Sequence, residues 1–173
     1  MARTLEKFRG RRSAGSFIAL PHDVINSHNW LKLSPHAVKL FIDLFAQFKG
    51  KNNGDLCAAW SMMKPRGWKS KATLSKALME LQHYGMITLT RQGGRKIPNL
   101  YGVTFRSIDE CNRKLEIRPC PPLGDWRNPV TDPPPKSSGR GGWGYRKHAI
   151  SLSHPMGLPA TSPESLVKPA VVH

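Results

Sequence analysis

The sequence predicts an α+β domain in which three core helices are followed by a β-hairpin. Apolar residues recur at three- and four-residue spacing over 34–49 and over 70–84, which is typical of amphipathic helices. Two alternating segments then flank the loop Gly93-Gly94-Arg95-Lys96, whose glycines favour a hairpin turn. We expect these neighbouring segments to fold together as one unit.

The first half of the domain is predicted to be mainly helical. After a short edge strand at 17–20, Pro21 suits the first turn of a helix that ends near Ser27. Ser34-Pro35, an N-cap hydroxyl followed by proline, begins a long helix that ends at Lys49-Gly50. The inward stripe of this helix is Val38, Phe41, Phe45 and Phe48. Such an apolar face indicates the central helix of the core, and a partner-binding stripe is the alternative.

Two further helices are predicted on either side of a tight turn. Residues 61–64 form about one helical turn, which Pro65-Arg66-Gly67 ends, and the proline disfavours helical geometry at the residue before it. Ser70 caps a longer helix that extends to residue 84, and Gly85 suits the left-handed residue that follows many helices. The inward residues of this helix are Leu74, Ala77, Leu78 and Leu81.

The hairpin follows directly. The strand 86–92 alternates isoleucine and leucine with threonines, and the returning strand, which ends at Phe105, has every second residue apolar. A short extended piece is expected at 56–59, and Asp109-Glu110 is expected to cap a last helix near 107–115. Two helices, a turn between them and a hairpin are the arrangement of a winged helix-turn-helix, whose second helix lies in a major groove of DNA.

Composition divides the chain into three parts. Residues 1–16 are predicted to be a flexible basic arm, and residues 17–117 the folded domain. Residues 118–173 contain eleven of the fifteen prolines and are predicted to be a disordered, Pro/Gly-rich basic tail. The formal net charge is +16, and the three parts carry +4, +8 and +4. Positive charge in every part favours a polyanionic partner.

Several other classes of protein are not expected. No stretch approaches the roughly 20 apolar residues of a membrane span, and the apolar run after the arm is too short for a signal peptide. We therefore expect a cytoplasmic protein with no membrane partner. Cys57, Cys111 and Cys120 are widely spaced and accompany no metal-binding motif. No P-loop, Gly-x-Ser-x-Gly or His-Glu-x-x-His motif is present. We expect no enzyme, no cofactor, no catalytic residue and no metal site.

The beginning of the 70–84 helix is the first candidate DNA contact, because no acidic residue occurs from Lys64 until Glu80. Lysines there would position phosphates, small and hydroxyl side chains would meet base edges, and the free backbone N–H groups of the first turn favour a phosphate. The candidate residues are Lys69, Ser70, Lys71, Ala72, Thr73, Ser75 and Lys76. The alternative is an ordinary solvated helix face.

The hairpin and the arm are the second and third candidate DNA contacts. Basic side chains at a hairpin tip suit the narrow, negatively charged minor groove. In the hairpin the candidates are Arg91, Gln92, Arg95 and Lys96, and in the arm they are Arg9, Arg11 and Arg12. The alternative is a solvent-exposed turn that is merely basic.

Four segments, 53–56, 69–81, 84–87 and 97–104, together resemble the winged helix-turn-helix domains of phage and plasmid replication initiators and related mobile-element regulators. They read NGDL, KSKATLSKALMEL, YGMI and IPNLYGVT. The resemblance implies sequence-specific binding of double-stranded DNA in replication initiation or transcriptional regulation, with the 70–84 helix reading DNA. It also implies replication or transcription proteins, or a second copy, as partners. The short first helix and the lack of a following ATPase or helicase-loading domain depart from the family.

Two other functions remain open. The segment 138–147 is rich in glycine and arginine, and Trp143 and Tyr145 could stack on the bases of RNA or single-stranded DNA. A protein–protein adaptor on a winged-helix scaffold is the other alternative, because a fold does not by itself determine a function.

Overall fold

The computed structural model describes residues 17–134, and these form five α-helices and one three-stranded antiparallel sheet. The α+β class is confirmed. The helices are α1 (His22–Ile25), α2 (His28–Leu31), α3 (Pro35–Phe45), α4 (Trp60–Met63) and α5 (Lys71–His83), and the strands are β1 (Leu56–Cys57), β2 (Ile87–Arg91) and β3 (Leu100–Val103). None of the helices in this range is long and apolar enough to cross a membrane. The predicted arm, 1–16, and residues 135–173 of the predicted tail lie outside the described residues.

The central helix α3 begins as predicted but ends earlier. The Ser34 hydroxyl accepts a hydrogen bond from the Ala37 N–H, and Pro35 is the first helical residue. Residues 46–48 continue in tighter turns, so the helix ends at Phe45 and not at Lys49-Gly50. The buried apolar residues are Ala37, Leu40, Phe41, Leu44 and Phe45. Of the predicted stripe, Phe41 and Phe45 are fully buried, whereas Val38 and Phe48 at its two ends are half-buried.

Helices α4 and α5 match their predicted lengths closely. Helix α4 has one turn and continues as a 3₁₀ turn, Lys64–Arg66, before Gly67 adopts a left-handed conformation. The expectation at Lys64 was wrong, because this residue is helical in spite of the following proline. In α5 the Ser70 hydroxyl accepts from the Thr73 N–H. The predicted inward residues Leu74, Ala77, Leu78 and Leu81 are all buried.

The sheet contains the predicted hairpin and a third strand whose pairing was not predicted. Its order is β1–β3–β2. Strand β1 pairs with β3 through Leu56 opposite Tyr101 and Cys57 opposite Leu100. All four residues of β3 are buried, so the expected alternation is absent from that strand. Residues 17–20 form no strand.

The segment after β3 does not form the helix that was predicted near 107–115. It contains one short turn, Cys111–Arg113, whose three residues all have positive φ. Asp109 caps no helix, and its carboxylate instead accepts the Asn53 N–H at 2.8 Å. The amide of Asn53 is fully buried and bonds to β3 and to the carbonyls that follow it. Hydrogen bonds to Asn53, which lies far away in the chain, therefore determine the path of this segment, and a helical pattern of apolar residues does not.

Residues 118–134, which composition placed in the tail, pack on the domain. Trp126 is buried, and the amide of the buried Asn29 donates to the Asn128 carbonyl at 2.7 Å. The side-chain oxygen Oδ1 of Asn29 accepts the Val130 N–H at 2.9 Å, and its side-chain amide also donates to the Tyr84 carbonyl. These bonds attach residues 118–134 to a buried side chain 99 residues earlier in the chain and satisfy its polar atoms.

A buried carboxylate joins α3 to the turn before α5. Asp43 accepts hydrogen bonds from Lys39 Nζ at 2.6 Å, Arg66 Nε at 2.8 Å and Trp68 Nε1 at 2.8 Å. Burial by itself raises the pKa of Asp43, but the hydrogen bonds from Lys39, Trp68 and Arg66 outweigh it, and the pKa is lowered from its ordinary value of 3.8. The charged form of Asp43 is thus the one that the fold stabilises.

A second carboxylate joins the two helices at their other ends. Glu80 of α5 accepts both the N–H and the hydroxyl of Ser34, the N-cap of α3. Since Asp43 lies near the end of α3 and Ser34 precedes its beginning, α3 and α5 run antiparallel and are fastened at both ends.

Replacing Asp43 with Asn should lower the free energy of unfolding by about 2–3 kcal/mol, because two cations lose a buried counter-charge. Chemical denaturation at neutral pH measures this change. Asp55→Asn is the matched control, because Asp55 pairs with Lys114 at a more exposed site and should contribute no more than about 1 kcal/mol. Equal losses in the two variants would contradict the role given to Asp43.

The stabilisation from Asp43 should also depend on pH. Since folding lowers its pKa, the carboxylate contributes fully well above pH 3.8, and the contribution disappears as the pH falls from 3.8 through the lower pKa of the folded state. Denaturation of the native chain and of Asp43→Asn at several pH values should therefore give curves that converge on acidification. A difference that stays constant down to the lowest pH would refute this linkage.

Candidate nucleic-acid interface

The candidate residues at the beginning of α5 are accessible. Those that are exposed are Lys69, Ser70, Lys71, Ala72 and Lys76, whereas Thr73 and Ser75 are half-buried. The apolar side of the same helix is covered by the core. This part of α5 therefore presents small, hydroxyl and cationic side chains to the solvent together.

The positive charge at this surface is not neutralised by nearby acids. Asp43 of α3 and Glu80 of α5 are bound to Lys39, Arg66, Trp68 and Ser34. Within residues 17–134, ion pairs are formed by Lys39, Arg66, Arg113 and Lys114, but by none of Lys64, Lys69, Lys71 and Lys76. The ammonium of Lys71 lies over the Trp60 ring, 5.8 Å from its centroid.

The first turn of α5 adds partial positive charge. Ser70 Oγ accepts a hydrogen bond from the Thr73 N–H. In the described part of the chain, the N–H groups of Lys71 and Ala72 have no hydrogen-bond partner. Free N–H groups and the helix dipole favour an anion at such an end. They act in the same direction as the lysine side chains.

The hairpin places two cations at its tip. Gly94 and Ile97 exchange backbone hydrogen bonds of 3.0 and 3.1 Å, so Arg95 and Lys96 are the two turn residues. Both are exposed, as is Gln92. Arg91 differs from them, because it is half-buried and its guanidinium donates to the Pro98 carbonyl at 3.2 Å. Its position suits bracing of the hairpin more than contact with a partner.

Asn99 fastens the hairpin loop to the core, and sequence reasoning did not assign it this role. Its side-chain oxygen accepts the Gly93 N–H, and its amide donates to the Tyr101 hydroxyl at 3.2 Å. Tyr101 is 1% exposed, and burial raises the pKa of its hydroxyl to about 12. The only feature of the sequence that pointed to Asn99 was the Asn-Leu-Tyr motif, which is part of the resemblance to winged helix-turn-helix domains.

The register of the sheet places the hairpin and the beginning of α5 at the same end of the sheet. Cys57, the last residue of β1, and Arg91, the last residue of β2, both pair with Leu100, the first residue of β3. The end of β1 from which the chain continues to α4 therefore lies at the end of the sheet where the hairpin loop begins. Lys71, at the beginning of α5, contacts α4 through Trp60. The structure thus brings the two predicted groups of cations toward one end, while Arg9, Arg11 and Arg12 lie outside the described residues.

The three cysteines are free, and burial raises the pKa of each thiol. Nowhere in the described range do three or more His, Cys, Asp or Glu side chains form a group that could hold a metal ion.

No protein-family model, curated protein or solved structure matches this chain.

Two neighbouring glycines should respond differently to alanine substitution. A Cβ at Gly93 would lie 2.5 Å from the Ile97 carbonyl oxygen and 2.6 Å from the Asn99 nitrogen, whereas a Cβ at Gly94 would meet nothing within 4 Å. Gly93→Ala should therefore displace the hairpin backbone and cost about 1–3 kcal/mol of stability. Gly94→Ala is the control and should stay within about 0.5 kcal/mol in the same denaturation experiment. Equal stability of the two variants would mean that the loop is not held as described.

Proposed function

We propose that this chain is a winged helix-turn-helix protein that binds double-stranded DNA, with α5 in the major groove and the hairpin over the adjacent minor groove. One observation carries the proposal: the exposed beginning of α5 bears lysines without acidic partners, at the end of the sheet from which a basic hairpin extends. The order α3, β1, α4, α5 and hairpin, with β1 paired to β3, supports the winged-helix assignment.

The contacts divide by chemistry. Lys69, Lys71 and Lys76 are point charges, so they suit phosphates and set the position of the helix on the duplex. The Ala72 methyl and the hydroxyls of Thr73 and Ser75 are short enough to meet base edges or a thymine methyl. Affinity then comes mainly from the lysines and base discrimination mainly from the smaller residues. Ser70 and the free N–H groups beside it complete a phosphate contact.

The hairpin contributes a second contact. Arg95 and Lys96 extend from a loop that is fastened to the core, so their charges are presented without a large loss of conformational freedom. Cations of this kind favour a narrow minor groove, whose potential is strongly negative. Reading groove width adds selectivity without base contacts.

The biological role that fits this chemistry is replication initiation or transcriptional regulation on a bacterial plasmid, phage or integrative element. Both roles require sequence-specific recognition of a DNA duplex. Replication or transcription proteins and a second copy of the chain are the partners that such a role implies. Selection of bound duplexes from a random pool tests specificity directly, because an adaptor protein would enrich no motif.

Replacing both Lys71 and Lys76 with Ala should weaken binding to every duplex and reduce the slope of log affinity against log salt by about two. The reason is that each lysine releases close to one counterion when it neutralises a phosphate of B-DNA. Fluorescence anisotropy with a labelled duplex at several salt concentrations measures both quantities.

The matched control removes the same charge elsewhere. Lys49 and Lys51 are exposed and lie in the loop that enters β1 from the opposite end of the sheet, so Lys49→Ala with Lys51→Ala should change the slope little. An unchanged affinity in the Lys71/Lys76 variant would remove α5 as the DNA contact. If binding is instead lost in a Trp143→Ala, Tyr145→Ala variant, the RNA or single-strand alternative is correct.

A further inference from the structure

The hairpin tip carries a large apolar side chain that the contacts described above do not use. Ile97 directly follows the turn residues Arg95 and Lys96, and 54% of its surface is exposed. Single exposed apolar side chains are common on proteins and carry no meaning by themselves. The position of Ile97, next to the two cations of a hairpin turn and paired with Gly94 across it, distinguishes it from the other exposed apolar residues.

The backbone on both sides of Ile97 is held in place. Its N–H donates to the Gly94 carbonyl and its carbonyl accepts from the Gly94 N–H. The next residue, Pro98, accepts from Arg91, and Asn99 bonds to Gly93 and to the buried Tyr101. Because these bonds anchor the loop to the sheet, the side chain of Ile97 cannot retreat into the core without breaking them.

The charge around Ile97 indicates what it meets. No acidic residue occurs in the chain between Glu80 and Asp109, and within residues 17–134 neither Arg95 nor Lys96 forms an ion pair. A partner at this tip must therefore accept cations beside an apolar group. A base-pair step in the minor groove does so, because its stacked bases are apolar and lie between two rows of phosphates.

We propose that Ile97 is an apolar wedge that inserts between two base pairs from the minor groove and bends the duplex. This inference rests on the proposed function and adds a deformation to it. Arg95 and Lys96 bind the phosphates on either side, and Ile97 fills the space that opens as the step unstacks. Wedges of this type kink DNA by roughly 20–90°, and flexible pyrimidine–purine steps are the easiest to open.

Energy transfer between dyes at the two ends of a duplex tests the proposal. The probe is a duplex of about 30 base pairs selected from a random pool by the full chain, a length that suits bending measurements. The native chain should shorten the distance between the dyes, and Ile97→Ala should reduce the bend by at least half and weaken binding several-fold. Ile97→Leu should restore the bend, because leucine keeps the apolar volume.

Leu31→Ala is the control, because Leu31 is 74% exposed on α2 and outside the hairpin. It should change neither the bend nor the affinity. A duplex that is bound but stays straight, or an equal bend with Ile97→Ala, would overturn the wedge and leave the proposed function standing. Failure of the native chain to select or bind any duplex would overturn both.

Discussion

The buried carboxylate of Asp43 is the interaction on which the arrangement of the helices depends. A buried charge is tolerated only when it is paired and hydrogen-bonded, and Asp43 satisfies this with Lys39 of its own helix and with Arg66 and Trp68 of the turn before α5. The turn is thereby fixed on α3, and the beginning of α5 is fixed with it. The same contact neutralises the Asp43 carboxylate, which would otherwise weaken the positive potential of the adjoining surface.

Other single polar side chains hold the irregular parts of the domain in the same way. Asn53 connects the loop before β1 to the residues after β3, and Asn29 connects α2 to the end of α5 and to the segment 118–134. Each amide is fully buried and makes several hydrogen bonds. Because an unsatisfied buried amide is costly, each of these side chains selects one arrangement of long loops that carry little regular structure.

These anchors make the proposed DNA contacts rigid without burying them. Helix α5 is tied to α3 through Ser34 and Glu80, and the hairpin is tied to the sheet through Asn99. The side chains that extend from both elements remain exposed and mostly cationic. A preorganised basic surface loses less conformational entropy on binding. The buried polar groups that hold α5 and the hairpin in place therefore also favour the proposed binding of DNA.

The sequence by itself determined the elements that local rules control. Ser34 and Ser70 as helix caps, the left-handed Gly85, the leucine stripe of α5 and a basic hairpin loop near residues 93–96 follow from capping, periodicity and turn chemistry. The cations that make up the candidate site were therefore identifiable, although their shared location was not. Only the tertiary structure decided the β1–β3 pairing, the path of 107–134 and the pairing of Asp43, because these depend on contacts between residues far apart in the chain, which no local pattern encodes.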